Sequence, residues 1–217
     1  MASMASAGQT NSNFPDLATN LCAVGKNFYS RNWALGTSGN YSAVLSWEPL
    51  RLAITSSGLD KGALTPSDIL EADENGKVLR GNGRPSAEYL LHLAIVRARG
   101  AGAVLHTHSV WATVLSERHG PSQFLAIEGY EMLKGLAGVQ THQHRELVPI
   151  FENSQDMADL SVKVESVLNA HSQAHGFLLR GHGLYTWGVD LQEARRHVEI
   201  FEFLLEVVGR TQEFKSA

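Results

Sequence analysis

Apolar residues recur at helical spacing in five segments of the chain, which we interpret as amphipathic helices. The predicted helices span 15–30, 86–99, 109–116, 154–171 and 190–209. Ser86 stands where the cap of the second helix is expected. Asp190 and Glu193 have the spacing of a capping box at the start of the last helix. The pattern therefore predicts a chain rich in helices that each bury one face.

Shorter apolar runs between these helices are typical of strands, and turn-forming residues separate them. The predicted strands lie within 36–45, 50–58, 68–81, 102–108, 123–127, 147–151, 176–180 and 184–188, and the "DENG" turn makes the third a hairpin. The elements lack the regular βαβ spacing of a Rossmann fold. We predict a single α/β domain with a mixed sheet over residues 15–217, preceded by a flexible terminus at 1–14.

Composition narrows the class of protein. The chain has 217 residues, of which 43% are apolar and 18% charged, as expected for a globular protein. A net charge of −4 argues against a nucleic-acid partner, which would require a basic face. Cys22 is the sole cysteine, so no internal disulfide can form, and a Cys-rich zinc motif is excluded. With no apolar run long enough for a membrane span and no secretory signal, we expect a cytoplasmic protein.

Two histidine pairs raise the question of a metal site. His106 and His108 follow an apolar strand, and residues two apart on a strand face the same side, so both rings can reach one ion. His142 and His144 repeat the spacing but lie in a segment that looks like a solvated loop. His182, between two glycines, is the best third ligand. The alternative for either pair is ordinary polar residues near a strand end.

The segments "PSAE", "GAVLHTHS" and "GHGLYTWG" together resemble the zinc-dependent class II aldolase family, which includes sugar-phosphate 4-epimerases. The resemblance covers roughly residues 15–210. It implies one zinc ion per subunit on His106, His108 and His182. It also implies an α/β/α sandwich around a mixed, largely antiparallel sheet, in a homotetramer with active sites near subunit interfaces. The segments "EMLKGLAG" and "THQHRELVPIFENSQDMADL" look most like a dehydratase branch that acts on a ketose phosphate.

Three loops have the composition of a phosphate site: "GTSGN", "TSSG" and "RPSAE". Each taken alone could be an ordinary turn. The resemblance assigns substrate-phosphate binding to Gly39, Asn40, Ser57, Gly58 and Ser86. Family members often have a second serine where this chain has alanine after Ser86, so one hydroxyl contact is missing. Two lysines, Lys61 and Lys134, are possible charge partners of the phosphate.

Two glutamates compete for the acid–base role. Glu131 matches the residue that the dehydratase branch uses, and its apolar neighbours predict partial burial and a raised pKa. Glu88 matches the glutamate beside the metal in the aldolases, and we rank it second. The alternative activities are a sugar-phosphate aldolase or 4-epimerase, and a non-enzymatic adaptor of the same fold. Three candidate ligands favour catalysis, because structural zinc is usually closed by four.

Overall fold

A computed structural model describes residues 13–216 of the chain. The helices are α1 (Phe14–Ser30), α2 (Tyr89–Arg99), α3 (Val110–His119), α4 (Met157–Ala170) and α5 (Leu191–Ser216). The strands are β1 (Asn40–Trp47), β2 (Leu50–Thr55), β3 (Ile69–Asp73), β4 (Val78–Arg80), β5 (Ala103–Thr107), β6 (Phe124–Glu128), β7 (Arg145–Phe151), β8 (Gly176–Leu179) and β9 (Gly183–Gly188). Residues 1–12 of the predicted flexible terminus lie outside the described range. Within that range, no helix has both the length and the apolar character needed to cross a bilayer.

The nine strands form one sheet in the order β4-β3-β2-β1-β5-β9-β8-β7-β6. Neighbouring strands run antiparallel, except for the parallel pair β7 and β8. This confirms the predicted mixed, largely antiparallel sheet. The hairpin predicted around "DENG" is also confirmed as β3 and β4. In the centre of the sheet, Asn40 of β1 pairs with His106 of β5, and His106 pairs with Tyr185 of β9.

Helices cover both faces of the sheet, as the α/β/α expectation requires. One core cluster joins apolar residues of α2 and α4 to the sheet, and others join α1, α3 and α5 to its opposite face. The alternation of side chains along β5 follows from the period of two in a strand. Ala103 and Leu105 pack on the side of α1 and α5, whereas Val104 packs on the side of α2. His106 therefore faces α2, and Thr107 faces α5.

Two predicted helix boundaries were wrong. Helix α2 begins at Tyr89, with Glu88 at the cap position, so Ser86 does not cap it. Ser86 Oγ instead accepts the backbone N–H of Glu88 at 3.3 Å, which uses its hydroxyl in the preceding turn. Helix α5 continues to Ser216, past the Gly209 at which we expected it to end. A Cβ at Gly209 would overlap the ring of Trp111, so this glycine allows close packing and is not a stop signal.

Candidate metal and phosphate site

Three histidines meet at the end of β5. The Nε2 atom of His108 lies 2.8 Å from that of His106 and 3.0 Å from that of His182, and the remaining pair is 3.3 Å apart. His106 is fully buried and stacks on Tyr185 with ring centroids 3.9 Å apart. The structure therefore brings together the three residues that the sequence predicted, and leaves His142 and His144 out of this group.

The contacts of the Nδ1 atoms indicate that the histidine rings can bind a cation through Nε2. His106 Nδ1 lies 3.0 Å from the carbonyl oxygen of Leu184, and His182 Nδ1 lies 3.3 Å from Oδ1 of Asn153. Both oxygens only accept, so each Nδ1 carries the proton and each Nε2 presents a lone pair. Such converging lone pairs repel one another unless a positive ion lies between them. The donor set fits a zinc ion, which commonly binds three imidazoles and keeps one position open.

Burial keeps the three imidazoles neutral and able to bind metal. Burial, with smaller contributions from His182 and Lys61, lowers the pKa of His108 to about 4. Burial also places the pKa of His106 well below its ordinary value, with a further contribution from His108 and His182. The pKa of His182 is lowered by burial as well, although the nearby Glu88 opposes that change. Protons therefore compete weakly with a metal ion at neutral pH.

The turn between β8 and β9 delivers His182 to the group. Gly181 has φ of 61°, a left-handed conformation that favours glycine. A Cβ at Gly183 would overlap the carbonyl oxygen of Thr107, so only glycine lets the turn approach β5 this closely. The two glycines that flank His182 therefore let the backbone bend toward the site.

Glu88 is the carboxylate beside the three histidines. Its Oε1 lies 3.3 Å from Nε2 of His182 and 3.8 Å from Nε2 of His106. Its Oε2 accepts the amide of Asn40 at 2.6 Å and the hydroxyl of Ser86 at 3.3 Å. The carboxylate thus has one oxygen turned toward the candidate metal position and the other held by the phosphate-site residues.

The five predicted phosphate residues surround one cavity of about 190 Å³. Its lining comprises Thr37, Ser38, Gly39, Asn40, Ser56, Ser57, Gly58, Ser86, Glu88 and His108. Glu88 and His108 connect this space to the histidine group. The cavity therefore joins small, hydroxyl-rich loops at one end to the candidate metal ligands at the other. The Asn40 amide is already engaged, however, because its Nδ2 contacts Glu88 and its Oδ1 contacts His92.

The two lysines have different positions. Lys61 is buried, and its ammonium group donates to the carbonyl oxygens of Thr37 and Leu59 at 3.0 and 2.7 Å. Burial lowers the pKa of Lys61 to about 8, so it remains largely protonated at neutral pH. It therefore supplies a positive charge beneath the loops of the cavity. Lys134 instead forms an ion pair with Glu131 outside the cavity lining.

The expectation that Glu131 is partly buried with a raised pKa was wrong. Its side chain is 70% exposed, and the Lys134 ammonium lowers the pKa of its carboxyl group. It starts the 3-10 helix Glu131–Gly135, in which Leu133 is the side chain that turns into the core. Among the described residues, its polar contacts are Lys134 and His142, and it does not line the cavity.

A second group of titratable residues lies away from this site. The buried carboxylate of Glu146 contacts Nε2 of His144 at 2.8 Å and Nδ1 of His175 at 3.0 Å. His175 Nε2 lies 2.8 Å from the carbonyl oxygen of Ala137, so both of its nitrogens face acceptors. Glu146 raises the pKa of His175, although burial opposes the change. We interpret this group as a buried ion pair, and it shows that His144, which we expected in a solvated loop, directs its ring onto a buried carboxylate.

Sequence reasoning missed two buried residues around the site. His92 on α2 is fully buried and contacts Asn40. Glu202 on α5 is also buried and accepts a hydrogen bond from Thr107, between the two histidines of β5. Each interrupts an apolar helical face with a titratable side chain, and that interruption is the signal that could have marked them.

Comparisons with known proteins agree with this geometry. The model of the class II aldolase and adducin N-terminal domain family matches residues 19–208. A methylthioribulose-1-phosphate dehydratase from Pseudomonas fluorescens is 47% identical over 197 residues, which cover 90% of this chain and 93% of the relative. Among solved structures, an L-fuculose 1-phosphate aldolase is similar with a TM-score of 0.75 at 25% identity, covering 95% of this chain and 91% of that one. The L-fuculose-1-phosphate aldolase from Thermus thermophilus has the same fold, with a TM-score of 0.75 at 24% identity and coverage of 94% and 99% of the two chains. The chain therefore belongs to the class II aldolase and adducin N-terminal domain family.

Proposed function

We propose that this protein is a zinc-dependent hydro-lyase that dehydrates 5-methylthioribulose 1-phosphate to 2,3-diketo-5-methylthiopentyl 1-phosphate, a reaction of methionine salvage. The observation that carries the proposal is one cavity lined by small, hydroxyl-rich loops at one end and, at the other, by Glu88 and by His108 of the three-histidine group. A ketose 1-phosphate has the matching order of groups, because its phosphate, carbonyl and hydroxyls follow one another along the chain. The dehydratase activity named for the 47% identical relative selects this reaction among those of the family.

The phosphate is bound by the loops that contain Gly39, Ser57, Gly58 and Ser86. Backbone N–H groups and hydroxyls in these loops suit phosphate oxygens, and the charge of Lys61 beneath them favours an anion. In this orientation, the C2 carbonyl and C3 hydroxyl of the substrate reach the histidine end of the cavity. His106, His108 and His182 would hold zinc there, and the bound ion would supply a Lewis acid that stabilises negative charge on nearby oxygens by several kcal/mol.

Dehydration removes the C3 proton and the C4 hydroxyl as water, and the resulting enol becomes the diketone. Two proton transfers are therefore needed, one from C3 and one to the departing hydroxyl. Glu131 is our first candidate for the acid–base group, and Glu88 our second. Glu131 is exposed and lies outside the cavity of its own subunit. We therefore propose that it enters the cavity of a neighbouring subunit in a homotetramer.

The first experiment identifies the reaction by its products. Wild-type protein is incubated with methylthioribulose 1-phosphate, and the diketone and dihydroxyacetone phosphate are both quantified. We expect the diketone alone, because dehydration leaves the C3–C4 bond intact. Dihydroxyacetone phosphate as the main product would instead identify an aldolase, the alternative favoured by the structural relatives. A 4-epimer of the substrate would identify an epimerase. The absence of any product would favour the non-enzymatic adaptor.

The second experiment tests the role and origin of Glu131. Glu131→Gln should keep its zinc and lower kcat about 10²–10⁴-fold, the usual contribution of a general acid–base group. Lys134→Gln is the matched control, since it removes the ion-pair partner of Glu131 on the same 3-10 helix but leaves the carboxylate in place. Full activity of Glu131→Gln would transfer the acid–base role to Glu88.

Mixed oligomers then distinguish a neighbouring subunit from the same one. Glu131→Gln subunits are unfolded and refolded together with His182→Ala subunits, each of which is inactive alone. If Glu131 acts across an interface, pairing subunits at random restores about a quarter of the sites, since each needs histidines from one variant and glutamate from the other. A mixture that stays inactive would show that Glu131 acts in its own subunit or not at all.

A further inference from the structure

A continuous set of buried hydrogen bonds leads from the sheet to Glu88. His92 of α2 is fully buried between two residues of β1, with Nδ1 2.7 Å from Oγ of Ser42 and Nε2 2.5 Å from Oδ1 of Asn40. The other end of the same amide, Nδ2, lies 2.6 Å from Oε2 of Glu88. The side chains of Asn40 and Ser42 lie on the sheet face that α2 covers, and His92 of α2 packs against that face. Residues distant in sequence therefore become neighbours.

The direction of each hydrogen bond follows from the chemistry of Glu88, at which the series of hydrogen bonds ends. The Glu88 carboxylate can only accept, so Asn40 must present its NH₂ group to Glu88 and its oxygen to His92. His92 must then donate from Nε2, and its Nδ1 accepts the hydroxyl proton of Ser42. Burial lowers the pKa of His92 to about 3, so the ring is neutral and has one N–H to donate. All donors thus point toward Glu88.

The opposite arrangement is unfavourable. If the Asn40 amide were rotated, its oxygen would face the Glu88 carboxylate at the same short distance, and its NH₂ group would face the N–H of His92. That arrangement needs a protonated Glu88 and the other tautomer of His92. With the amide alone rotated, two acceptors would face each other at the Glu88 end and two donors at the His92 end, so neither contact could form a hydrogen bond. One amide orientation and one histidine tautomer are therefore coupled to one state of Glu88.

We infer that His92 is a positioning residue: it fixes the orientation of Asn40, and Asn40 in turn holds the Glu88 carboxylate facing the three histidines. This inference adds a role at the carboxylate to the phosphate role predicted for Asn40, because Nδ2 contacts Glu88 and Oδ1 contacts His92. Ser42 completes the set by selecting the tautomer of His92. The inference deepens the proposed function, since it concerns how the same site keeps its carboxylate in place.

The test is a double-mutant cycle on kcat with methylthioribulose 1-phosphate. His92→Gln should lower kcat by about 10–100-fold, the usual effect of a residue that orients groups around a metal site, with KM and zinc content little changed. If His92 acts through Asn40, adding His92→Gln to Asn40→Ala should cause no further loss. Effects that multiply would overturn the inference, because they would show that His92 acts independently of Asn40.

Two further variants separate positioning from general damage to the core. Thr186→Val is the matched control, since it removes one buried hydroxyl of the central strand β9, which donates to the carbonyl oxygen of Ala194. It should leave kcat unchanged, and a loss equal to that of His92→Gln would overturn the inference. Should His92→Gln fail to fold, Ser42→Ala replaces it in the cycle. Ser42→Ala should lower kcat alone and have no effect when Asn40 is already alanine.

A substrate-free measurement separates failure of the inference from failure of the proposed function. In protein labelled with ¹⁵N-histidine, the His92 signals are identified by their loss in His92→Gln. We expect Nε2 to be protonated and Nδ1 bare in the wild type, and Asn40→Ala to abolish this single tautomer. A wild-type tautomer protonated at Nδ1 would overturn the inference. If the wild type fails to dehydrate the substrate but shows the expected tautomer, only the proposed function fails.

Discussion

Replacing Glu202 with glutamine should stabilise the protein at high pH. Glu202 lies on α5 beneath the strand that carries His106 and His108, and it is 3% exposed. Its Oε1 accepts the hydroxyl of Thr107 at 2.8 Å, and the hydroxyl of Ser109 also contacts the carboxyl group. Burial raises the pKa of Glu202 to about 7, although these two hydroxyls lower it. The folded protein therefore resists ionising this side chain.

The size of the effect follows from the change in proton affinity. The pKa rises from an ordinary 4.5 in the unfolded chain to about 7 in the fold. Each tenfold change in affinity corresponds to about 1.4 kcal/mol, so an ionised Glu202 costs the folded state about 3 kcal/mol. Between pH 4.5 and 7 the folded state keeps a proton that the unfolded state has lost. The free energy of unfolding therefore falls as pH rises through this window, and the loss is complete above pH 7.

Glutamine reproduces the protonated carboxyl group, because it offers one acceptor and a donor in nearly the same shape. The free energy of unfolding of metal-free wild type and Glu202→Gln is measured by urea denaturation at pH 5 and pH 8. The two proteins should be similar at pH 5, whereas the variant should be more stable by up to about 3 kcal/mol at pH 8. Comparing the two proteins at each pH cancels the titration of the histidines that they share.

A matched control lies on the same helix. The side chain of Glu206 is half-exposed and pairs with Arg210, so Glu206→Gln should change stability by no more than the roughly 0–1 kcal/mol of a surface ion pair. The reasoning is refuted if Glu202→Gln is less stable than the wild type at pH 8. It is also refuted if the difference between the two proteins is the same at both pH values, since the carboxyl group would then not titrate in that window.

The metal and phosphate ends of the cavity give the remaining predictions. His182→Ala should lose most of its zinc, measured by atomic absorption after dialysis, whereas His142→Ala should keep about one ion per chain, because three imidazoles form the site. Retention by His182→Ala with loss in His142→Ala would contradict the assignment. Ser57→Ala should raise KM more than it lowers kcat in steady-state kinetics, since phosphate contacts act equally on substrate and transition state. Inorganic phosphate should compete with the substrate, and a rate indifferent to high phosphate would count against these loops.

The three-histidine group could be predicted from the sequence because two of its members, His106 and His108, are near neighbours in the chain at the end of one strand. His106 and His108 share a face through the alternation of a strand, and the glycines around His182 indicated a tight turn there. The phosphate loops were predicted from composition and family resemblance, and they do meet around one cavity. In each case a short segment carries enough information to restrict the conformation of its own backbone.

Features that depend on distant contacts were not predicted. The burial of His175 depends on Glu146 in another strand and on the backbone of Ala137, and nothing near His175 in sequence indicates either partner. Local apolar neighbours suggested that Glu131 is buried, but the short 3-10 helix turns Leu133 inward and leaves Glu131 exposed. Such outcomes depend on which face of a short element packs, and periodicity over five residues cannot specify that.

The arrangement of β5 explains how one chain builds both ends of the candidate site. His106 faces α2, so the helix that carries Glu88 and His92 lies directly against the metal group, while Thr107 faces α5 and ties the strand to Glu202. The pairing of Asn40 with His106 places the phosphate loop beside that strand. The cavity of one chain is therefore lined by hydroxyl-rich loops, by the carboxylate Glu88 and by His108 of the three-histidine group. A family that shares this set can cleave either a C–C or a C–O bond from an enolate intermediate. We propose that Glu131 of a neighbouring subunit makes this choice by reaching C4 of the substrate.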